Sequence, residues 1–228
     1  MGTRVGYAET IAVPPAKSTL REYAETILIC VVVFVFLRGF VFQHSEIPSG
    51  SMEDTVLPGD YILVNRFSYA PVSFELERRL LPTRRVERGD VVVFRHPHEP
   101  ERDFIKRVIG MPGETVELRR GFVFVDGRPL DEPYLNPLYR EPEDFPPLEV
   151  PPSEYFLLGD HRNDSADSRR WGTVPRRLIK GRAVLVLFST EGPPPGADAG
   201  KVTIPSTLRK LRDIVLRSRW DRAATLIR

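Results

Sequence analysis

Phe104-Ile105-Lys106-Arg107-Val108-Ile109-Gly110 reads as a β-strand with two cations inside it. Side chains alternate across a strand, so Phe104, Lys106 and Val108 share one face, and Ile105, Arg107 and Ile109 share the other. Each face holds one cation among apolar groups, and periodicity alone does not say which cation is buried. On both sides of this stretch, short apolar runs alternate with turn residues. Residues 61–64, 91–94, 115–118, 122–125, 155–158 and 183–188 read as six further strands. Asp126-Gly127 is a hairpin turn signal, because a type I′ turn needs positive φ at both positions. The chain outside its N-terminal segment is therefore expected to be mainly β, with an antiparallel sheet. Its 22 prolines argue for long loops rather than long helices there.

The 228 residues, 41% hydrophobic and 28% charged, suffice for one main domain with a real core. A net charge of +2 gives no reason to propose a nucleic-acid partner. Residues 27–42 are apolar except for Arg38 and Gly39. Sixteen helical residues rise about 24 Å, so residues 23–26 are needed to approach a hydrocarbon core of about 30 Å. Arg38 lies near the end, where its head group can snorkel. A transmembrane helix is expected over 22–42, behind a cytoplasmic tail at 1–21. No small-x-small site follows it, which argues against a cleavable signal peptide. Arg4, Lys17 and Arg21 precede it, and the basic side favours the cytoplasm. Residues 43–228 are thus expected on the far side. The single cysteine, Cys30, lies inside the apolar segment and permits no intrachain disulfide.

Ile47-Pro48-Ser49-Gly50-Ser51-Met52 begins five residues beyond the apolar segment. A serine hydroxyl is a poor nucleophile until a base takes its proton, and a lysine kept neutral by an apolar site can be that base. Three further stretches follow in order: Arg88-Gly89-Asp90-Val91-Val92-Val93-Phe94, then Lys106-Arg107-Val108-Ile109-Gly110-Met111-Pro112-Gly113, then Gly159-Asp160-His161-Arg162-Asn163-Asp164-Ser165-Ala166-Asp167-Ser168-Arg169. The four stretches in this order resemble bacterial type I signal peptidases, the membrane-anchored Ser/Lys endopeptidases that remove signal peptides from exported proteins. They span residues 43–188.

The resemblance implies Ser51 as nucleophile and Lys106 as general base, and arginine, which stays charged, cannot take the latter role. It implies that Ser165 hydrogen-bonds the Lys106 amine, that Asp167 and Arg169 pair to support the site, and that the Ser49 side chain and the Ser51 N–H stabilise the oxyanion. Small residues at the first and third positions before the scissile bond, as in Ala-x-Ala, would fill two apolar pockets, with Ile47, Met52, Val56 and Ile105 as candidate walls. The substrate would add as an extended strand. The implied partners are preproteins and membrane lipid, with no cofactor. His96-Pro97-His98 lacks further ligands at suitable spacing, so no metal is expected. Two departures concern the substrate groove: Asp54-Thr55-Val56 stands where the family often has Pro-Thr-Leu, and His161 where it often has Asn. Gly-x-Ser-x-Gly is absent. The rival reading is a membrane-tethered β-rich binding module without catalysis.

The catalytic domain is expected over 43–191, with a proline- and acid-rich loop or small insertion at 132–152. Gly192-Pro193-Pro194-Pro195-Gly196 opens a linker over 192–205. Residues 206–228 are expected as a basic amphipathic helix of net charge +5, lying either on anionic lipid or against the β domain.

Overall fold

The computed structural model describes residues 19–36, 42–69, 83–99, 101–190 and 218–227. The chain divides into an N-terminal unit, Met1–Gly39, and a larger one, Phe40–Arg228. The first holds helix α1 (Thr19–Phe36). Arg21 and Glu25 pair at 2.9 Å across one turn, and Ile27, Leu28 and Ile29 each leave 63% of their surface exposed. Among the described residues no helix is long and apolar enough to cross a membrane. The expected span over 22–42 runs through residues 37–41, which lie outside the described ones, and Phe42 already begins a strand.

Among its described residues the second unit has twelve strands: β1 (Phe42–Glu46), β2 (Asp60–Asn65), β3 (Val91–Arg95), β4 (Asp103–Gly110), β5 (Thr115–Arg119), β6 (Phe122–Val125), β7 (Arg128–Pro129), β8 (Phe145–Glu149), β9 (Glu154–Leu158), β10 (Val174–Pro175), β11 (Ile179–Ser189) and β12 (Thr225–Leu226). One short helix, α2 (Ser168–Trp171), lies between β9 and β10. The larger sheet has the order β1-β2-β11-β3-β4-β9-β10, with β12 added on β11. The smaller sheet has the order β7-β6-β5-β8. Every pairing is antiparallel. The seven expected strands lie within β2, β3, β4, β5, β6, β9 and β11. Asp126 and Gly127 take φ of 50° and 73° between β6 and β7, as the turn signal requires.

Strand β4 is central because it feeds all three hydrophobic clusters. Ile105 packs with Ile47, Met52, Val56, Val64 and Val93. Val108 joins Val92, Phe94 and Leu157, while Ile109 joins Val116, Leu118, Phe156 and Leu158. From Ile105 to Gly110 the strand is buried on both faces. At its end, a Cβ on Gly110 would meet Val116 Cγ2 at 2.5 Å and Phe156 Cβ at 2.9 Å. Only glycine lets the smaller sheet approach this closely.

The stretch 132–152, expected as a loop or a small insertion, contains β8, which pairs with β5. Pro146 and Pro147 are tolerated because β8 is an edge strand, where a missing N–H breaks no ladder. The expected C-terminal helix is not formed over 218–227. Ser218 bridges Thr190, residues Trp220–Arg222 make a 3-10 turn, and β12 follows. The cause is inward: Ile227 is buried in the cluster of Met52 and Val56, and Arg219 and Arg222 turn towards the buried Asp60. The linker over 192–205 and residues 206–217 lie outside the described residues.

Candidate active site

The chain leaves β1 through Ile47, which is locked to the start of β2: its N–H donates to Asp60 O at 3.0 Å, and its carbonyl accepts from Gly59 at 2.9 Å. The intervening turn is closed by Glu53 N–H to Gly50 O at 2.9 Å and Val56 N–H to Met52 O at 2.8 Å. Met52 and Val56 are fully buried, so they hold the turn down on the core and leave Ser51 at its rim.

Lys106 reaches this rim from β4. Its Nζ lies 2.5 Å from Ser51 Oγ, although the two residues are 55 positions apart. Only 2% of Lys106 is exposed. Burial pulls its pKa down from the ordinary 10.5 to about 8; Asp167 and Asp160 oppose that pull, and Arg169 adds to it. Both carboxylates are committed elsewhere. Asp160 accepts from Arg107 Nε at 2.8 Å and Nη2 at 2.6 Å, and Asp167 accepts from Arg169 Nε and Nη2, both at 2.8 Å. A buried amine without its own counterion favours the neutral form. A neutral amine in contact with a hydroxyl can accept its proton.

Both cations of β4 are therefore buried, and their surroundings separate their roles. Arg107 donates to Gly89 O at 2.8 Å and to Thr55 Oγ1 at 3.1 Å, and its guanidinium lies 3.9 Å from the Tyr134 ring centroid. Tyr134 and the bidentate Asp160 make it a fixed charge that ties β4 to the loop after β9.

That loop carries Ser165. The Asp167–Arg169 pair closes it, with Asp167 Oδ2 accepting from Gly159 N–H at 3.1 Å and Arg169 Nη2 donating to Arg162 O at 2.9 Å. The expected hydrogen bond from Ser165 to Lys106 is not made. Ser165 Oγ is buried without a partner among the described residues, while Nζ contacts Ser51. Ser165 nevertheless stays close to Ser51. A Cβ on Gly159 would meet Ser165 Oγ at 2.1 Å and the Ser51 carbonyl oxygen at 2.5 Å. Gly159→Ala is accordingly expected to displace both serines. Overpacking of this kind costs about 1–3 kcal/mol, and with Ser51 in its expected role its displacement should lower kcat by at least about tenfold. Thermal unfolding and steady-state peptide cleavage measure the two effects; a variant with normal kcat would show that Gly159 does not set the spacing.

Beside Ser51 opens a cleft of about 410 Å³, lined by Ile47, Pro48, Ser49, Val93, Phe104 and Ile105, with Arg102 and Asp103 also on its wall. Ser49 is exposed in it. Of the four candidate walls, Ile47 and Ile105 line this cleft, and Met52 and Val56 face the core instead. Val93 and Phe104 were missed. Val93 lies opposite Ile105 in the β3–β4 register, a pairing no single run reveals. His96 is packed at 4.7 Å from both the Phe104 and Trp171 rings, and its Nδ1 accepts from the Glu99 N–H at 3.0 Å.

The family profile of signal peptidase, peptidase S26, matches residues 20–188. The chain is 40% identical over 197 residues to a signal peptidase I of Leptolyngbya laminosa, covering 80% of this chain and 89% of the relative. It is 33% identical over 211 residues to signal peptidase I of Pseudomonas aeruginosa, covering 76% and 74%. It is 31% identical over 181 residues to signal peptidase I of Bacillus licheniformis, covering 75% and 90%. A crystal structure of a signal peptidase I from Enterococcus faecalis superposes with a TM-score of 0.39 at 32% identity, covering 43% of this chain and 97% of that one.

Proposed function

Since the chain belongs to the signal peptidase family, peptidase S26, we propose that Ser51 is its nucleophile and Lys106 its general base. The observation that carries this reading is the 2.5 Å approach of a buried Lys106 Nζ to Ser51 Oγ. Ser51 Oγ attacks the scissile carbonyl while Lys106 takes its proton and passes it to the leaving amine. The C–N bond breaks and an ester links the signal peptide to Ser51. Water, deprotonated by the same amine, then releases the peptide as a carboxylate. The Ser51 N–H and Ser49 hydroxyl are the oxyanion donors. Once Ser51 Oγ is esterified, the partnerless Ser165 hydroxyl is the neighbour placed to hold the amine. Asp167 and Arg169 keep the loop of Ser165 in place.

The substrate is a preprotein whose extended segment lies in the cleft beside Ile47, Val93 and Ile105. Small residues at the first and third positions before the scissile bond suit those walls. The apolar stretch that begins in α1 and continues to Phe42 anchors the enzyme in the bacterial plasma membrane. The catalytic unit then sits on the extracytoplasmic side, with lipid as its second partner.

The pH profile tests the reading. The neutral amine is the working form, so depression of the Lys106 pKa to about 8 brings it within reach at neutral pH. Cleavage of a preprotein, with its new N-terminus sequenced, should show kcat/KM rising about tenfold per pH unit on the acid side and levelling above about 8. A profile flat from pH 6 to 9 would count against an amine base.

A further inference from the structure

The family match ends at residue 188, yet residues 218–227 return to the turn that carries Ser51. Arg219 N–H donates to Ser189 O at 2.8 Å, β12 pairs with β11, and Ile227 N–H donates to Val184 O at 3.1 Å. Ile227 is 4% exposed and shares the cluster of Ile47, Met52 and Val56. These contacts dock the segment. Its guanidiniums do something more specific.

Arg222 Nη2 donates to Asp60 Oδ2 at 2.7 Å and to Thr55 O at 3.2 Å, and its Nε lies 3.3 Å from Asp60 Oδ1. Asp60 is fully buried, and its Oδ2 also accepts from the Leu57 N–H at 2.9 Å. Burial works to raise the Asp60 pKa; hydrogen bonds from Arg222 and the Leu57 N–H help to outweigh it and hold the carboxylate below its ordinary value. Thr55 lies four residues after Ser51 and is gripped from the other side as well. Its hydroxyl donates to Asp160 Oδ2 at 2.5 Å and accepts from Arg107 Nη2 at 3.1 Å. Arg107 is the neighbour of Lys106 in β4. The carbonyl of Thr55 thus belongs to the C-terminal segment, and its hydroxyl to the frame that holds the base. The turn that carries Ser51 is thus clamped from both directions.

We propose that Arg222 is a positioning residue for Ser51: its guanidinium, not the packing of the segment around it, is the latch on the nucleophile's turn. The proposal rests on the reading of Ser51 as nucleophile. Loss of the grip lets the turn shift while the cleft walls from β3 and β4 stay in place. A displacement of about 1 Å at a reacting group can cost up to about 100-fold in rate.

The test measures kcat and KM on a signal-peptide substrate, with thermal unfolding alongside, in the full chain. Arg222→Ala is expected to lower kcat by about tenfold or more with KM within about twofold. Ile227→Ala removes core packing from the same segment and leaves the Arg222 contacts. It is expected to lower the unfolding midpoint with kcat within about twofold of wild type. Arg222→Lys covers the case in which Arg222→Ala does not fold. Lysine keeps the charge but loses the Nε contact to Asp60 Oδ1 and the planar fork that fixes the guanidinium between Asp60 and the Thr55 carbonyl, so kcat should fall by about threefold or more. Wild-type kcat in the Arg222 variants overturns the proposal, as does a loss of kcat that tracks the unfolding midpoint equally in the Arg222 and Ile227 variants. Ser51→Ala, measured in parallel, separates the two failures: turnover retained there removes the nucleophile reading, whereas an inactive Ser51→Ala beside a normal Arg222→Ala removes only the latch.

Discussion

Ser51→Ala is expected to lower kcat on a signal-peptide substrate by about 10⁴-fold or more, because loss of a nucleophile leaves only oxyanion stabilisation and binding. The change removes one oxygen from a residue at the rim of a turn held by Met52 and Val56, both of which stay buried. The backbone bonds that close the turn do not involve the hydroxyl. Stability should therefore shift by no more than about 1 kcal/mol, the usual net value of one hydrogen bond. KM should change little, since the cleft walls are untouched. A folded Ser51→Ala protein that keeps more than about a hundredth of wild-type kcat would place the nucleophile elsewhere.

Lys106→Met should be as inactive as Ser51→Ala and yet more stable at neutral pH. Below a pKa of about 8 the folded protein holds a cation that burial disfavours, whereas the unfolded chain titrates near 10.5. The unfolded state binds more protons between those values, so the penalty is fully present below about 8 and disappears as pH rises towards 10.5. Methionine fills similar space with no charge, so a gain on the order of 1–3 kcal/mol is expected at pH 7, shrinking above pH 10. Lys106→Arg should also be inactive, because a guanidinium cannot accept the proton. It should lose stability, since the larger cation cannot shed its charge in the buried site. The three properties are read by steady-state kinetics and by thermal unfolding at two pH values. Substantial turnover in Lys106→Arg would remove lysine as the base.

The seven expected strands were legible because each is an apolar run between turn residues. β8 was not, because Phe145-Pro146-Pro147-Leu148-Glu149 carries two prolines that only its edge position accommodates. β1 was obscured in another way: Gln43-His44-Ser45-Glu46 is polar and abuts an apolar segment read as helix. In the proposed site, Ser51 and Lys106 are marked by their motifs, but periodicity does not choose between Lys106 and Arg107, since both faces of β4 are covered. Met52 and Val56 were misplaced because apolar residues beside a nucleophile can face a groove or a core. Arg219 and Arg222 fall within the segment expected as a basic amphipathic helix. Asp60, 162 residues away from Arg222, turns them inward, and no local pattern records a partner that distant.

The central claim is that Ser51 carries the acyl group and that Lys106, by taking the Ser51 proton, allows it to form there. Intact-mass spectrometry of the enzyme, quenched within milliseconds of mixing with a preprotein, measures this directly. A mass increment equal to the signal peptide less one water, mapped by digestion to Ser51 and absent from Lys106→Met, is the expected result. Turnover of the preprotein with no covalent adduct on Ser51, under conditions where acylation outpaces hydrolysis, would contradict the account.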